Sequence, residues 1–214
     1  MYDLPHFKEH DPAVIRAFMA EHPFALLAGC NAAGEPVATQ VPLLTEERGG
    51  QLFLLGHIQR KTDHQLAFDA NPHVLAVFTG PDSYVSASWY ADPRTPSTWN
   101  YMAVHARGRL RFLDDDGLWH MLERTTARFE NNESSPAAFR NIPEADIRKM
   151  MKAIIAFEIT VDHLDHVFKL SQNRGKANYT SIAGHLSELD SDARAVAAEM
   201  EKRLDEISPA QDAG

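Results

Sequence analysis

Apolar residues recur along this chain with two periods, and the switches between them divide it into elements. Val14, Ile15, Phe18 and Met19 form one stripe at helical spacing. Asp11 followed by Pro12 supplies an N-cap and a first-turn proline for that helix, and His22 and Pro23 end it. Short apolar segments at 24–29 and 35–44 flank residues 31–34, whose types suit the turn of a β-hairpin. The run 52–55 reads as a buried strand. The polar stretch 59–70 holds a short helix before a strand at 73–79, which Gly80-Pro81-Asp82 is expected to end in a turn.

The clearest alternation comes later. Val104, Ala106, Gly108, Leu110 and Phe112 alternate with His105, Arg107, Arg109 and Arg111, the period of a sheet with one buried face. Gly108 hints at a bend or bulge in it. Asp114 is placed to cap the next helix, whose Leu118, Met121, Leu122, Thr125 and Phe129 share a face. Residues 131–143 read as a loop. Ile155, Phe157, Ile159 and Val161 alternate with Ala156, Glu158, Thr160 and Asp162 in a late strand that leads through Val167 and Phe168. Two helical segments follow, the second with Val196, Met200, Leu204 and Ile207 in register. Strands outnumber helices through the middle, and most connections are too brief for successive parallel crossovers. The expectation is a mainly β fold, an antiparallel barrel with peripheral helices, rather than a doubly wound sheet. It forms one domain over 1–189, with a helix and tail at 190–214 that is not an independent domain.

With 214 residues, 44% of them hydrophobic, the chain can bury a core. The start MYDLPHFKEHD lacks the basic-then-apolar order of a secretory signal, and no apolar run approaches the roughly 20 residues that span a bilayer, so a cytoplasmic address is expected. A net charge of −9 opposes indiscriminate binding to nucleic acid or to an anionic membrane. The lone Cys30 excludes an intrachain disulfide and reads as a small buried residue at a strand end. The arginines at 107, 109 and 111 read as a polar outer sheet face paired with nearby acids, with anion binding as the alternative.

Candidate chemistry begins with YVSASWYADPRTPSTWNY, residues 84–101, which holds two of three tryptophans and three of five tyrosines. Ser86, Ser88, Ser97, Thr98 and Asn100 lie between the rings, more polarity than a core needs, so the segment reads as a recognition surface for a flat aromatic ligand with polar appendages. Pro93 and Pro96 make the connection between its halves a turn or exposed loop. At a strand end, GHIQRK sets His57, Arg60 and Lys61 side by side, as a phosphate dianion requires; a solvated strand end is the alternative. Lys169, Gln172, Asn173 and Arg174 in KLSQNR mix cations with amides that both donate and accept, suited to ring carbonyls, or to an ordinary exposed loop. Eleven histidines raise a metal site, but the closest pair, His163 and His166, is offset by three residues and falls on opposite strand faces unless the chain turns there, so no metal is expected. The chain has no GxGxxG after a strand, no GxxxxGK, no GxSxG elbow and no HExxH.

Taken together, MYDLPHF, GHIQRKTDH, FTGPDSYVSASWY, PSTWNYMAVHARG and FKLSQNR resemble, in order, the motifs of the PaiB-like family of FMN-binding negative transcriptional regulators, over roughly 1–185. The resemblance implies a six-stranded antiparallel split β-barrel of the flavin-reductase and pyridoxamine-phosphate-oxidase kind, assembled as a homodimer with FMN at the interface. That ligand agrees with the residues: a flat ring system for Trp89 or Trp99, a ribityl chain for Ser86, Ser88 and Asn100, and a phosphate for Arg60 and Lys61. Where the family usually has proline within SPSWY, this chain has Ala87. Three functions follow as expectations. The first is a flavin-binding regulator, though no helix-turn-helix is visible and the charge disfavours direct DNA binding. The second is an oxidoreductase in which FMN takes hydride from NAD(P)H, with His57, Tyr90 and Tyr101 as candidate acids or bases and no catalytic residue assigned. The third is a haem-binding split barrel with a histidine ligand.

Overall fold

Local sequence forms most elements of the computed structural model, which describes residues 1–91, 94–131 and 134–207. In chain order these are α1 (Pro12–Glu21), β1 (Phe24–Cys30), β2 (Pro36–Pro42), β3 (Leu44–Arg48), β4 (Gln51–Gln59), α2 (Asp63–Ala70), β5 (His73–Val85), β6 (Thr98–Phe112), α3 (Asp115–Glu130), α4 (Glu144–Met151), β7 (Ile154–Lys169), α5 (Gly175–Ser187) and α6 (Ser191–Lys202). The strands pair in the order β2-β1-β5-β6-β7-β4-β3. The registered pairs β1·β2, β1·β5, β3·β4 and β4·β7 are all antiparallel. No helix among the described residues is long and apolar enough to cross a membrane.

Several expected local signals operate as read. Asp11 accepts a hydrogen bond from the Ala13 N–H at 2.7 Å at the start of α1, whose Ile15, Phe18 and Met19 are buried. Asn31 closes the β1–β2 hairpin by accepting from Ala33 and Glu35, with Gly34 at φ +81° where a Cβ is disfavoured. Asp114 caps α3 by accepting from Gly117 at 2.9 Å.

Other expectations need correction. The segment read as one strand at 35–44 is broken at the buried Leu43, and its end forms a second hairpin, β3–β4, turned by Gly49 and Gly50 at φ +58° and +80°. That division brings the sheet to seven strands where six were implied. Gly80-Pro81-Asp82 does not end β5, which runs through it to Val85. Proline lacks an N–H, and β1 pairs with β5 only at Leu75–Val77, so no β1 ladder bond is asked of Pro81. Cys30 ends β1 as expected but is partly exposed, not buried. The helix α4 was not anticipated, although Glu144 and Asp146 at its start and Arg148 and Lys149 at its end follow the macrodipole.

Two compact units divide the chain. One comprises residues 1–18, 79–104 and 165 onward, the other residues 19–78 and 105–164. In the second unit, Leu44, Leu55, Leu118, Met121, Ile147, Met151 and Ala156 form a core cluster, with Trp119 and Phe139 edge-to-face beside it. Burying each large aliphatic chain contributes about 1.5–3 kcal/mol. Gly108 serves close approach: a Cβ there would fall well inside 3.0 Å of the Thr160 carbonyl oxygen. On the polar face, the buried Glu158 takes two hydrogen bonds from Arg111, at 3.0 and 2.8 Å, and another from Arg48. In the first unit, Tyr179, Ile182, Leu186, Val196 and Met200 are buried where α5 and α6 meet, and Asp190 caps α6 through the Ala193 N–H.

Candidate functional site

The aromatic segment begins in the first unit with a single 3₁₀ turn, Ala87–Trp89, which Ser86 caps. The Ser86 and Ser88 hydroxyls lie 2.9 Å apart, and the Ala87 N–H donates to Ser97 Oγ at 3.0 Å. A proline at 87 has no such donor, so the departure from the family pattern supports a tie across the loop. Trp89 is held against α5: its carbonyl accepts from Ser181 at 2.9 Å, and its ring is centred 5.2 Å from His185. The Ala91 N–H donates to Asn178 Oδ1 at 2.9 Å. Pro96 lies in an exposed, irregular stretch, and Pro93 falls outside the described residues.

Beyond that loop, Trp99 and Tyr84 form an edge-to-face pair with centroids 5.9 Å apart, and remain 54% and 48% exposed. Their neighbour Asn100 is fully buried. It accepts from the Ser171 hydroxyl at 2.9 Å and donates to the Met200 sulfur at 3.5 Å, so its carboxamide is engaged inside the protein. Tyr101 is half-buried against Phe7, Ala103 and Val167.

KLSQNR, which ends β7 and opens α5, meets this segment directly. The Lys169 ammonium donates to Thr98 Oγ1 and to the Trp99 carbonyl, the latter at 2.5 Å. Burial, and then the charge of Arg174, pushes the Lys169 pKa down. Gln172 is spent on its own loop, donating to the Phe168 carbonyl at 2.5 Å and accepting from Leu170 at 2.8 Å. Asn173 is partly exposed. Arg174 sits over the Tyr90 ring, 5.3 Å from its centroid, while the Tyr90 hydroxyl is buried beside Arg174 and Ser171 without a hydrogen bond of sound geometry. His166 is structural here: its Nε2 accepts from the Glu9 N–H at 2.9 Å.

The GHIQRK cluster belongs to the second unit. His57 pairs across β4–β7 with Ala156, and its Nδ1 is buried without a partner. Burial pushes its pKa down and favours the neutral ring. Arg60 anchors its backbone on the Ala153 carbonyl at 2.9 Å, and its guanidinium comes to 3.7 Å from Asp115. Lys61 adopts φ +63°, and its N–H donates to Gln65, whose own N–H is capped by Thr62 at the start of α2. Arg60 lines a cleft of about 420 Å³ with Asp115, Arg148, Met151 and Lys152. Three cations there meet two carboxylates, since Arg148 also donates to Glu144 at 2.7 Å. Arg148 and Lys152 were not candidates from sequence, and the missed signal is the charge pattern of α4.

Comparison with known proteins bears on both fold and family. Residues 1–163 match a family model described as "Putative FMN-binding domain". The protease synthase and sporulation protein PAI 2 of Bacillus subtilis is 30% identical over 205 residues, 95% of this chain and 98% of that protein. Among solved structures, the FAD and heme binding protein from Mycobacterium smegmatis aligns with a TM-score of 0.58 at 20% identity, covering 75% of this chain and 72% of its own. A conserved hypothetical protein from Mycobacterium tuberculosis aligns with a TM-score of 0.57 at 13% identity, covering 79% and 91%. At such identities the likeness concerns the fold, the antiparallel split-barrel class that the motifs implied. With most of its length matched by one family model and nearly all of it by a relative at 30% identity, the chain belongs to the PaiB-like family of FMN-binding-domain proteins.

Proposed function

We propose that this protein binds FMN and that Arg60 supplies the charge that holds the flavin's phosphate. The observation that carries the reading is the Arg60 cleft, where Arg60, Arg148 and Lys152 outnumber the two acids that meet them, Asp115 in the lining and Glu144 paired with Arg148 at 2.7 Å. A phosphate dianion relieves that excess through charge-assisted hydrogen bonds, about 1.5–3 kcal/mol each. The orphaned His57 Nδ1 is a further polar group in search of a partner. The ring of Trp99, left half in water, offers an apolar face to an isoalloxazine. The reading includes a homodimer with flavin at the interface, so phosphate-holding and ring-facing residues need not come from the same copy. When bound, FMN supplies the redox chemistry; the chain binds and orients it.

Any influence on gene expression is, in this reading, indirect, exerted through a partner or through the flavin's redox state. The net charge of −9 supports that choice over direct DNA binding.

The test is a fluorescence titration with FMN, with riboflavin as the control that lacks phosphate. FMN binds more tightly than riboflavin in the natural chain, and Arg60→Ala removes most of that difference without unfolding the protein. Equal affinity for the two flavins, or an Arg60→Ala variant that keeps the full preference for FMN, overturns the assignment.

A further inference from the structure

A buried hydroxyl with no partner costs about 1–3 kcal/mol, so one that persists calls for a reason. Tyr90 is only 6% exposed, and its hydroxyl is such a group. It lies beside Arg174 and Ser171. Arg174 is the N-cap residue of α5, a helix of 13 residues with no side-chain cap and no acid in its first turn. The first N–H groups of an uncapped helix are orphan donors, and the macrodipole makes that end positive. Lys169 feels the Arg174 charge, has given two of its three N–H groups to Thr98 and Trp99, and keeps one. Among the described residues, no carboxylate pairs with Lys169 or Arg174.

We propose that the start of α5 is an oxyanion site, formed by the Tyr90 hydroxyl, Arg174 and Lys169, that takes the phosphate or carboxylate group of a small organic ligand other than the flavin. The three side chains named are all donors, and among the described residues no carboxylate pairs with either cation. Burial pushes the Tyr90 pKa up against the pull of Arg174, which keeps the phenol protonated and able to donate. A helix start with an electropositive side chain and a buried hydroxyl is an arrangement that oxyanions fit. The site stands whether or not Arg60 holds a flavin, because none of its donors belongs to the Arg60 cleft.

The test is a calorimetric titration of the full chain with inorganic phosphate at low ionic strength, repeated with acetate. The Arg60→Ala background leaves the α5 site as the anion site under study. Saturable binding of one equivalent is expected, weakened at least fivefold by Tyr90→Phe and by Arg174→Gln. Tyr90→Phe removes an unpartnered hydroxyl, so its melting temperature without anion should equal or exceed that of the parent, which separates lost binding from lost folding. In the natural chain, saturating FMN should leave this equivalent in place. Phosphate affinity unchanged in both variants overturns the site, and complete displacement of phosphate by FMN would give the site to the flavin's own phosphate.

Discussion

Ser171 donates its hydroxyl hydrogen to the Asn100 side-chain oxygen at 2.9 Å, and does so from a left-handed backbone with φ +64°. Both residues are buried, so the bond is made where water cannot replace it. Ser171→Ala strands the Asn100 oxygen and keeps the unfavourable backbone, a loss of about 1–3 kcal/mol. Ser171→Gly loses the same bond but relieves a conformation that costs a residue with a Cβ about 1–2 kcal/mol. Urea denaturation should rank the glycine variant as the less damaged. An alanine variant as stable as the natural chain would show that this bond contributes nothing.

Two glycines give an opposed pair. At Gly108 an added Cβ meets the Thr160 backbone carbonyl, which cannot rotate away, so Gly108→Ala should cost 2 kcal/mol or more, about what overpacking does in a tight interior. Gly184, within α5, has nothing within 4 Å of the added carbon, and Gly184→Ala should stabilise by about 0.5–1 kcal/mol through helix propensity. Thermal melts of the two variants should move in opposite directions.

Glu158 makes stability depend on acid pH. Burial alone would raise its pKa, but the hydrogen bonds from Arg48 and Arg111 outweigh that and hold the carboxyl below its usual value of 4.5. A group whose folded pKa is depressed contributes stability that is complete above the unfolded value and fades as pH falls through the folded one. Glu158→Gln should therefore lie below the natural chain in stability at pH 7, and the two should converge as pH falls below the usual carboxylate value of 4.5 and through the depressed folded one. Parallel stability curves across that window would contradict the assignment.

Trp99 separates binding from folding. Because its ring is more than half exposed, Trp99→Ala should change the melting temperature little while weakening FMN by severalfold. Trp89, tied to Ser181 and packed at a tilt against His185, should instead lose stability on truncation. If bound FMN turns over, NADH or NADPH oxidation will run faster than with free FMN at equal concentration, and Trp99→Ala will slow it in proportion to flavin occupancy.

Where a residue's role was set by near neighbours, the sequence read well. Asp11, Asp114 and the Asn31–Gly34 turn act through hydrogen bonds spanning a few residues, so their chemistry is visible in a short window. Gly80-Pro81-Asp82 misled because turn propensity is a local bias that sheet formation overrides. The candidate site was less legible because its partners are remote in sequence. Asn100 looked like a ligand contact, and only the folded chain brings Ser171 and Met200 to its carboxamide. Arg148 and Lys152 carry no motif, and they join Arg60 only because α4 returns alongside the end of β4.

The stretch that matches the family model stops at residue 163, in the middle of β7 rather than between elements. A chain shortened to that match would end partway along a strand and lose Ser171 and Met200. The Asn100 carboxamide would then lack both its donor and its acceptor. Tyr179, whose hydroxyl donates to the Met200 carbonyl at 2.8 Å, would go with them. The stretch beyond residue 163 is thus interior material for the aromatic segment before it, and the span of the family model is shorter than the span that packs together.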